Sequence, residues 1–300
     1  MELNKIKFIP IPISGVILSL FGLGLFFKDI SSIATNIFTL IGIILIIFLL
    51  IKIILFNSES VEDLKNPVIL GTFGTFPMSI MILGALLKDV HYDLAIGMWF
   101  IGFIAHMILI IYFTKEHILN FDLESVYTNY FVVFVGIGMA SVTGAVFKLQ
   151  VIVDCVFVFS FVSMVILLIL VSYRYFKIPI MDRTFKPLVC IYAAPVSLVL
   201  CGFIQSSLPK SSMIIIAFYI FSVIFYIFGL VKVVEYIRLP FFPTFAAFTF
   251  PMVISSTATK NIMQITGLKL EIFLIIQITI AIIVVVYVLL EYLDFIITAP

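Results

Sequence analysis

The sequence predicts an all-α polytopic membrane protein, with ten transmembrane helices arranged as five helical hairpins around a pseudo-five-fold central pore. Three observations carry that expectation. Of 300 residues, 64% are hydrophobic and 11% charged, more apolar surface than a water-soluble domain can hide. Apolar segments of about 20 residues, the length that crosses roughly 30 Å of hydrocarbon as a helix, recur from end to end. Alternate segments carry a proline or a pair of glycines within the run, at a period near 60 residues, so the repeating unit is a helical hairpin. The chain reads as a single transmembrane domain with repeats at approximately 1–60, 61–118, 119–178, 179–236 and 237–300.

The first segment, Phe8 to Phe27, opens with "FIPIPISGVI", which holds Pro12, Ser14 and Gly15. Pro12 and the lack of a small-residue cleavage site argue against a cleaved signal peptide. The second, Ser32 to Phe56, is the aliphatic run "IFTLIGIILIIFLLIKIILF", suited to face lipid. The third, Pro67 to Leu87, returns to the first pattern in "FGTFPMSIMI", with Phe76, Pro77 and Ser79. The fourth, Leu94 to Thr114, carries His106, read as a hydrogen-bonded packing residue in preference to a proton relay. In the fifth, Val126 to Phe147, Gly136 and Gly138 stand where other odd segments have proline, so any bend there runs through glycine.

The sixth segment, Gln150 to Tyr173, starts near Asp154, expected at the interface to pair with Lys148 or meet water. The seventh, Lys186 to Ser206, contains "IYAAPVSLVL" with Pro195 and Ser197. Its Cys190 and Cys201 lie about 16 Å apart along one helix and cannot pair. The eighth, Ser211 to Val233, is again aliphatic and aromatic. The ninth, Pro243 to Ile265, holds Phe250 and Pro251 in "FTFPMVISST", and the tenth runs from Leu270 to Asp294.

Odd segments, with their Pro, Gly, Ser and Thr, suit an interior position, where small residues permit close approach and neighbours satisfy freed carbonyls. Five parallel inner helices leave a hole on their axis. Pro12, Pro77, Pro195 and Pro251 are predicted to kink helix interiors, each removing one backbone bond; at Pro251 the carbonyl of Ala247 loses its partner. Gly15, Phe76, Gly136 and Ser197 are the candidate lining residues.

Lys and Arg number eleven on the side of the N-terminus and six on the other, which places both termini in the cytoplasm of a multi-pass cell-membrane protein. Net charge of +1 implies neither nucleic acid nor a strongly anionic partner. Lys28, Lys88, Lys148, Lys210 and Lys260 fall once per repeat near the outward ends of inner helices. They either form a cationic ring at the mouth or snorkel individually and complement helix C-termini. There is no CxxC pair, His/Cys cluster, nucleotide loop or catalytic triad, so no metal, cofactor or enzymatic activity is expected. An uncharged pathway with Ser and Thr hydroxyls favours weakly selective passage of anions, and a proton-coupled carrier would more often place an acid or histidine on an inner helix.

The stretches "IPIPISGVILSLFGLGL", "LGTFGTFPMSIMILG", "FVVFVGIGMASVTG" and above all "FFPTFAAFTFPMVISSTAT" give a resemblance over nearly the whole chain. The sequence resembles the tellurite-resistance/dicarboxylate transporter family, which includes bacterial TehA and the slow-type anion channels of plant guard cells. The resemblance implies a ten-helix fold around a central anion pore, in a homotrimer with one pore per subunit. It also implies a phenylalanine of the ninth helix that plugs the pore, Phe250 by motif position; on residue type alone Phe250 is one of 33 phenylalanines packing between helices. The implied function is a gated channel for small inorganic or organic anions. The alternative is a secondary carrier, exporter or proton-coupled, of a small oxyanion or C4-dicarboxylate such as tellurite, sulfite or malate; a sensor or scaffold with a vestigial pore is a third class. Expected partners are small anions and the lipid bilayer.

Overall fold

A computed structural model describes residues 3–299, with side chains from residue 5. The regular structure of the described residues is helical, without a strand. Beside short helices at Leu3–Ile6 and Asn57–Asp63, ten long helices run in chain order among the described residues: α1 (Ile11–Phe27), α2 (Ser32–Leu55), α3 (Pro67–Leu87), α4 (Tyr92–Ile118), α5 (Asn129–Phe147), α6 (Gln150–Lys177), α7 (Arg183–Gln205), α8 (Ser212–Tyr236), α9 (243–266) and α10 (Glu271–Thr298). Eight of these are each long and apolar enough to cross a membrane, and Ile11–Phe27 is a shorter apolar helix. The ends of several are legible locally. Ser31, His91 and Ser211 each accept a bond from a backbone N–H three residues on, capping α2, α4 and α8, and Gly267 ends α9 in the left-handed conformation at φ 71°.

Each odd helix packs against the even helix that follows it, and burial separates the two sets. The most apolar window is 78% buried in α3 and α5 and 94% in α7, but only 28–33% in the even helices α2, α4, α6, α8 and α10. Outer side chains such as Ile33 and Ile272, 72% and 78% exposed, are aliphatic because their surroundings are hydrocarbon.

Polar cross-links close the inner helices into a ring in chain order. The Ser14 and Thr75 hydroxyls bond at 2.7 Å between α1 and α3, and Asn129 of α5 donates to the Pro67 carbonyl of α3 at 2.8 Å. Thr128, just before α5, donates to the Leu188 carbonyl of α7, and Ser197 of α7 bonds Ser255 of α9 at 3.0 Å. Ser19 of α1 donates to the Thr249 hydroxyl of α9 at 2.7 Å, which completes the circuit. Further along the same helices Lys28 donates to the Ala85 carbonyl and Lys260 to that of Phe26, so the inner helices run parallel.

The prolines act differently from the expected kink inside a continuous helix. In α9 a 3-10 stretch, Pro243–Phe248, gives way to an α-helix at Thr249–Thr266; in α7 the change falls between Arg183–Ala193 and Ala194–Gln205. In α3 the segments Pro67–Thr72 and Thr75–Leu87 are joined through Phe73 and Gly74. Pro77, Pro195 and Pro251 therefore occupy the first turn of an α-helix, where a backbone N–H has no intrahelical partner to lose. Pro12 lies within the 3-10 turn Ile11–Ile13 that precedes Ser14–Phe27. In α5 the corresponding 3-10 turn is Gly136–Gly138. In α1, α5, α7 and α9 the break is a change of helix type, and in α3 it is a two-residue joint between two α-helical segments.

Candidate functional site

The breaks in the five inner helices, four between 3-10 and α segments and one the joint of α3, border a common space inside the ring. A cavity of about 50 Å³ lies there, lined from all five inner helices, by Gly15 of α1, Thr75 and Met78 of α3, Gly136 of α5, Pro195 of α7 and Phe250 and Pro251 of α9 among others. A smaller cavity of about 10 Å³ lies beyond it, between Gly22, Ile82, Met139, Val253 and Thr257. Phe250 is the residue common to both walls. Phe250 is 7% exposed; a Cβ built on Gly22 would press on Val253 Cγ1 at 3.0 Å and only touch the Phe250 ring, at 3.8 Å, so the glycine allows the close approach of α1 to α9 beside Phe250.

On the side of the helix N-termini, a mouth of about 370 Å³ is lined by Pro12, Lys7, Lys52, Asn66 and Thr244 among others, and shares Thr72 with the axial cavity. Lys52 is 3% exposed and pairs with Asp63 at 2.8 Å. Thr72 and Thr75 donate their hydroxyl protons to the carbonyls of Val68 and Thr72. The axial cavity is therefore walled mostly by carbon, and volume for water falls to about one molecule beyond Phe250.

Of the four candidate lining residues, Gly15 and Gly136 stand in the wall of the axial cavity. Phe76 and Ser197 do not. Phe76 is half-buried and stacks on Phe73, centroids 5.2 Å apart and planes 9° apart, because Thr75 and Met78 take the inward face of α3. Ser197 follows Pro195 by two residues, about 200° around the helix, and its hydroxyl bonds Ser222 of α8, Ser255 of α9 and the Ala193 carbonyl. Thr75, Met78 and Leu18 line the cavity without having been singled out by sequence, as does Ala247, expected only to carry a freed carbonyl; the one signal for Thr75 is its offset from Pro77, which Thr249 repeats before Pro251.

The lysines one per repeat are placed individually. Lys28 pairs with Asp89 at 2.8 Å as well as bonding Ala85, and Lys260 bonds the Phe26 carbonyl with Asp29 at 3.9 Å. The hydrogen bond and charge of Lys28 hold the Asp89 carboxyl below its ordinary range. Lys210 bonds its own Ser206 carbonyl at 2.7 Å, Lys148 is exposed in a left-handed turn, and Lys88 is half-buried at the end of α3. Lys28 and Lys260 are thus links between neighbouring inner helices. His106 bonds the Val133 carbonyl at 2.9 Å through Nε2, as a packing residue. Asp154 binds neither Lys148 nor open water alone: it accepts from the Ser207 backbone N–H and hydroxyl and from Gln150, tying α6 to the end of α7. Cys155, Cys190 and Cys201 are free thiols.

Comparison with curated proteins returns no match. A profile of the family described as the voltage-dependent anion channel, SLAC1, matches residues 9–293, a span that takes in all five inner helices and the axial cavities. The protein is a helical membrane protein of anion transport, and the chain belongs to the SLAC1 family.

Proposed function

We propose that the protein is a gated anion channel whose closed pathway is plugged by Phe250. The observation that carries this reading is the position of Phe250 as the one residue shared by two cavities on the ring axis. A constriction walled by an aromatic ring and aliphatic side chains excludes ions by staying dry. The mouth and axial cavity lead to Phe250 from the side of the helix N-termini, which the lysine bias assigns to the cytoplasm. Following the family resemblance, the working assembly is a homotrimer in the cell membrane, with small inorganic or organic anions as the conducted species and no cofactor.

The test is anion flux and current in liposomes for Phe250→Ala beside Phe76→Ala. Both changes truncate a phenylalanine that precedes a proline in the same Thr-Phe-Pro-Met tetrapeptide, but only Phe250 stands on the axis. Conductance is expected to rise at least tenfold for Phe250→Ala, about 1.4 kcal/mol of barrier, and to stay at the parent level for Phe76→Ala. A correctly folded Phe250→Ala protein that conducts no more than the parent overturns the plug. A reversal potential that follows a proton gradient, instead of the anion gradient alone, replaces the channel by a coupled carrier.

A further inference from the structure

Outside the ring a cavity of about 710 Å³ opens between the outer helices α6 and α8, with α7 as its floor. Its walls are aromatic. Tyr192 of α7 stacks on Phe225 of α8, centroids 6.2 Å apart and planes 6° apart, and meets Phe228 edge-on at 5.7 Å. The Tyr192 hydroxyl is satisfied by Ser172 of α6 at 3.0 Å. The rim faces hydrocarbon, with Ile224 and Phe228 55% and 40% exposed.

Two ammonium groups also line this cavity. Lys186 comes from the start of α7 and Lys232 from the last turns of α8, close to where those helices leave the membrane. Lys232 is held by Glu235 at 2.7 Å, while Lys186 is half-buried and forms no ion pair among the described residues. A hydrocarbon-facing slot with cationic groups confined to its interfacial end is complementary to one kind of molecule, an amphiphile with an anionic head and an apolar tail.

We infer that the groove between α6 and α8 binds an anionic phospholipid of the leaflet nearest the helix N-termini, its phosphate on Lys186 and Lys232 and an acyl chain along Tyr192, Phe225 and Phe228. The volume falls within the range of specific small-ligand pockets, about 300–1,000 Å³. The floor is the 3-10 stretch of α7, whose neighbouring Ile191 and Ala194 wall the axial cavity, so the bound lipid rests on the back of the pore wall.

The experiment uses the full chain in nanodiscs. Phe228→Trp places a fluorophore in the groove, and Ile283→Trp places one on the lipid-facing side of α10, where Ile283 is 62% exposed. Each is titrated with phosphatidylglycerol or phosphatidylcholine carrying brominated acyl chains, which quench tryptophan on contact; the native Trp99 is fully buried and gives a constant background. Phosphatidylglycerol is expected to quench Phe228→Trp at lower mole fraction than phosphatidylcholine, and the two lipids to act alike at Ile283→Trp. Adding Lys186→Gln and Lys232→Gln is expected to remove the preference, at about fivefold in apparent affinity per lysine. Equal quenching by both lipids at Phe228→Trp, or a preference that survives loss of both lysines, overturns the proposal. Absence of quenching by either lipid also overturns it, since that is the result of a groove covered by a second copy of the chain.

Discussion

At the scale of single residues, the axis is a matter of side chains that are missing as much as of those present. Beside Phe250, α1 and α9 approach closely because Gly22 has no side chain. A Cβ at Gly22 would lie 3.0 Å from Val253 Cγ1 as well as 3.8 Å from the Phe250 ring, whereas one at Gly97, on the outer helix α4, would meet nothing within 4 Å. Opposite signs are therefore expected for the same substitution. Gly22→Ala overpacks a filled interface and should destabilise by about 1 kcal/mol or more. Gly97→Ala should stabilise by up to about 1 kcal/mol, because it removes backbone freedom from the unfolded chain and adds helix propensity. Thermal unfolding of the two variants in one detergent measures the contrast; equal effects would mean that the α1–α9 contact is loose.

At the scale of elements, the inner helices are composite, and their prolines stand where an α-helix begins. A proline in a helix interior costs about 3 kcal/mol, so its removal there stabilises. In a first turn it costs the folded state nothing, and its rigid ring lowers the entropy of the unfolded chain. Pro251→Ala is therefore expected to lower stability by about 0.4–1 kcal/mol, with helix content by circular dichroism unchanged. A stabilised variant with increased helicity would return Pro251 to the role of an interior kink. In α5 a 3-10 turn without proline stands at the same place, and its Gly136 is closely packed: a Cβ there would lie 2.8 Å from the Met78 sulfur and 3.3 Å from His106 Cε1, so a neighbour would have to shift.

At the scale of the whole molecule, helices packed against one another in hydrocarbon need their polar groups paired, and one or more hydroxyl or amide links cross every seam between adjacent inner helices. Lys28 and Lys260 add ammonium links at the far end. Together they join α9 to α1 and α1 to α3. Because Lys28 holds Asp89 below its ordinary range, that pair contributes above the ordinary carboxylate pKa and is lost only as pH falls through the lowered value. Lys28→Gln with Lys260→Gln is expected to lower the thermal midpoint at neutral pH. In a Phe250→Ala background it should leave anion conductance alike at low and high salt. A conductance loss confined to low salt would show instead that these charges gather anions at the mouth.

What the sequence determined by itself follows from solvent. The bilayer demands apolar runs of one length, and the ring demands small and hydroxyl-bearing residues on alternate runs. Class, number of segments and the division into inner and outer helices were therefore legible, as was the glycine break at Gly136 and Gly138. The facing of individual side chains was not. Thr75-Phe76-Pro77-Met78 and Thr249-Phe250-Pro251-Met252 are the same four residues, yet α3 turns Thr75 and Met78 to the cavity and Phe76 away, while α9 turns Phe250 and Pro251 inward. The upstream backbone differs: α9 arrives through six residues of 3-10 helix, α3 through a short α-helix and a two-residue joint. Each 3-10 residue advances about 120° around the axis against about 100° for an α residue, and the joint adds its own rotation, so the same tetrapeptide enters the ring at different angles. Where an α-helix starts within a longer helical run is decided by its neighbours in the ring, and with it which phenylalanine stands on the axis.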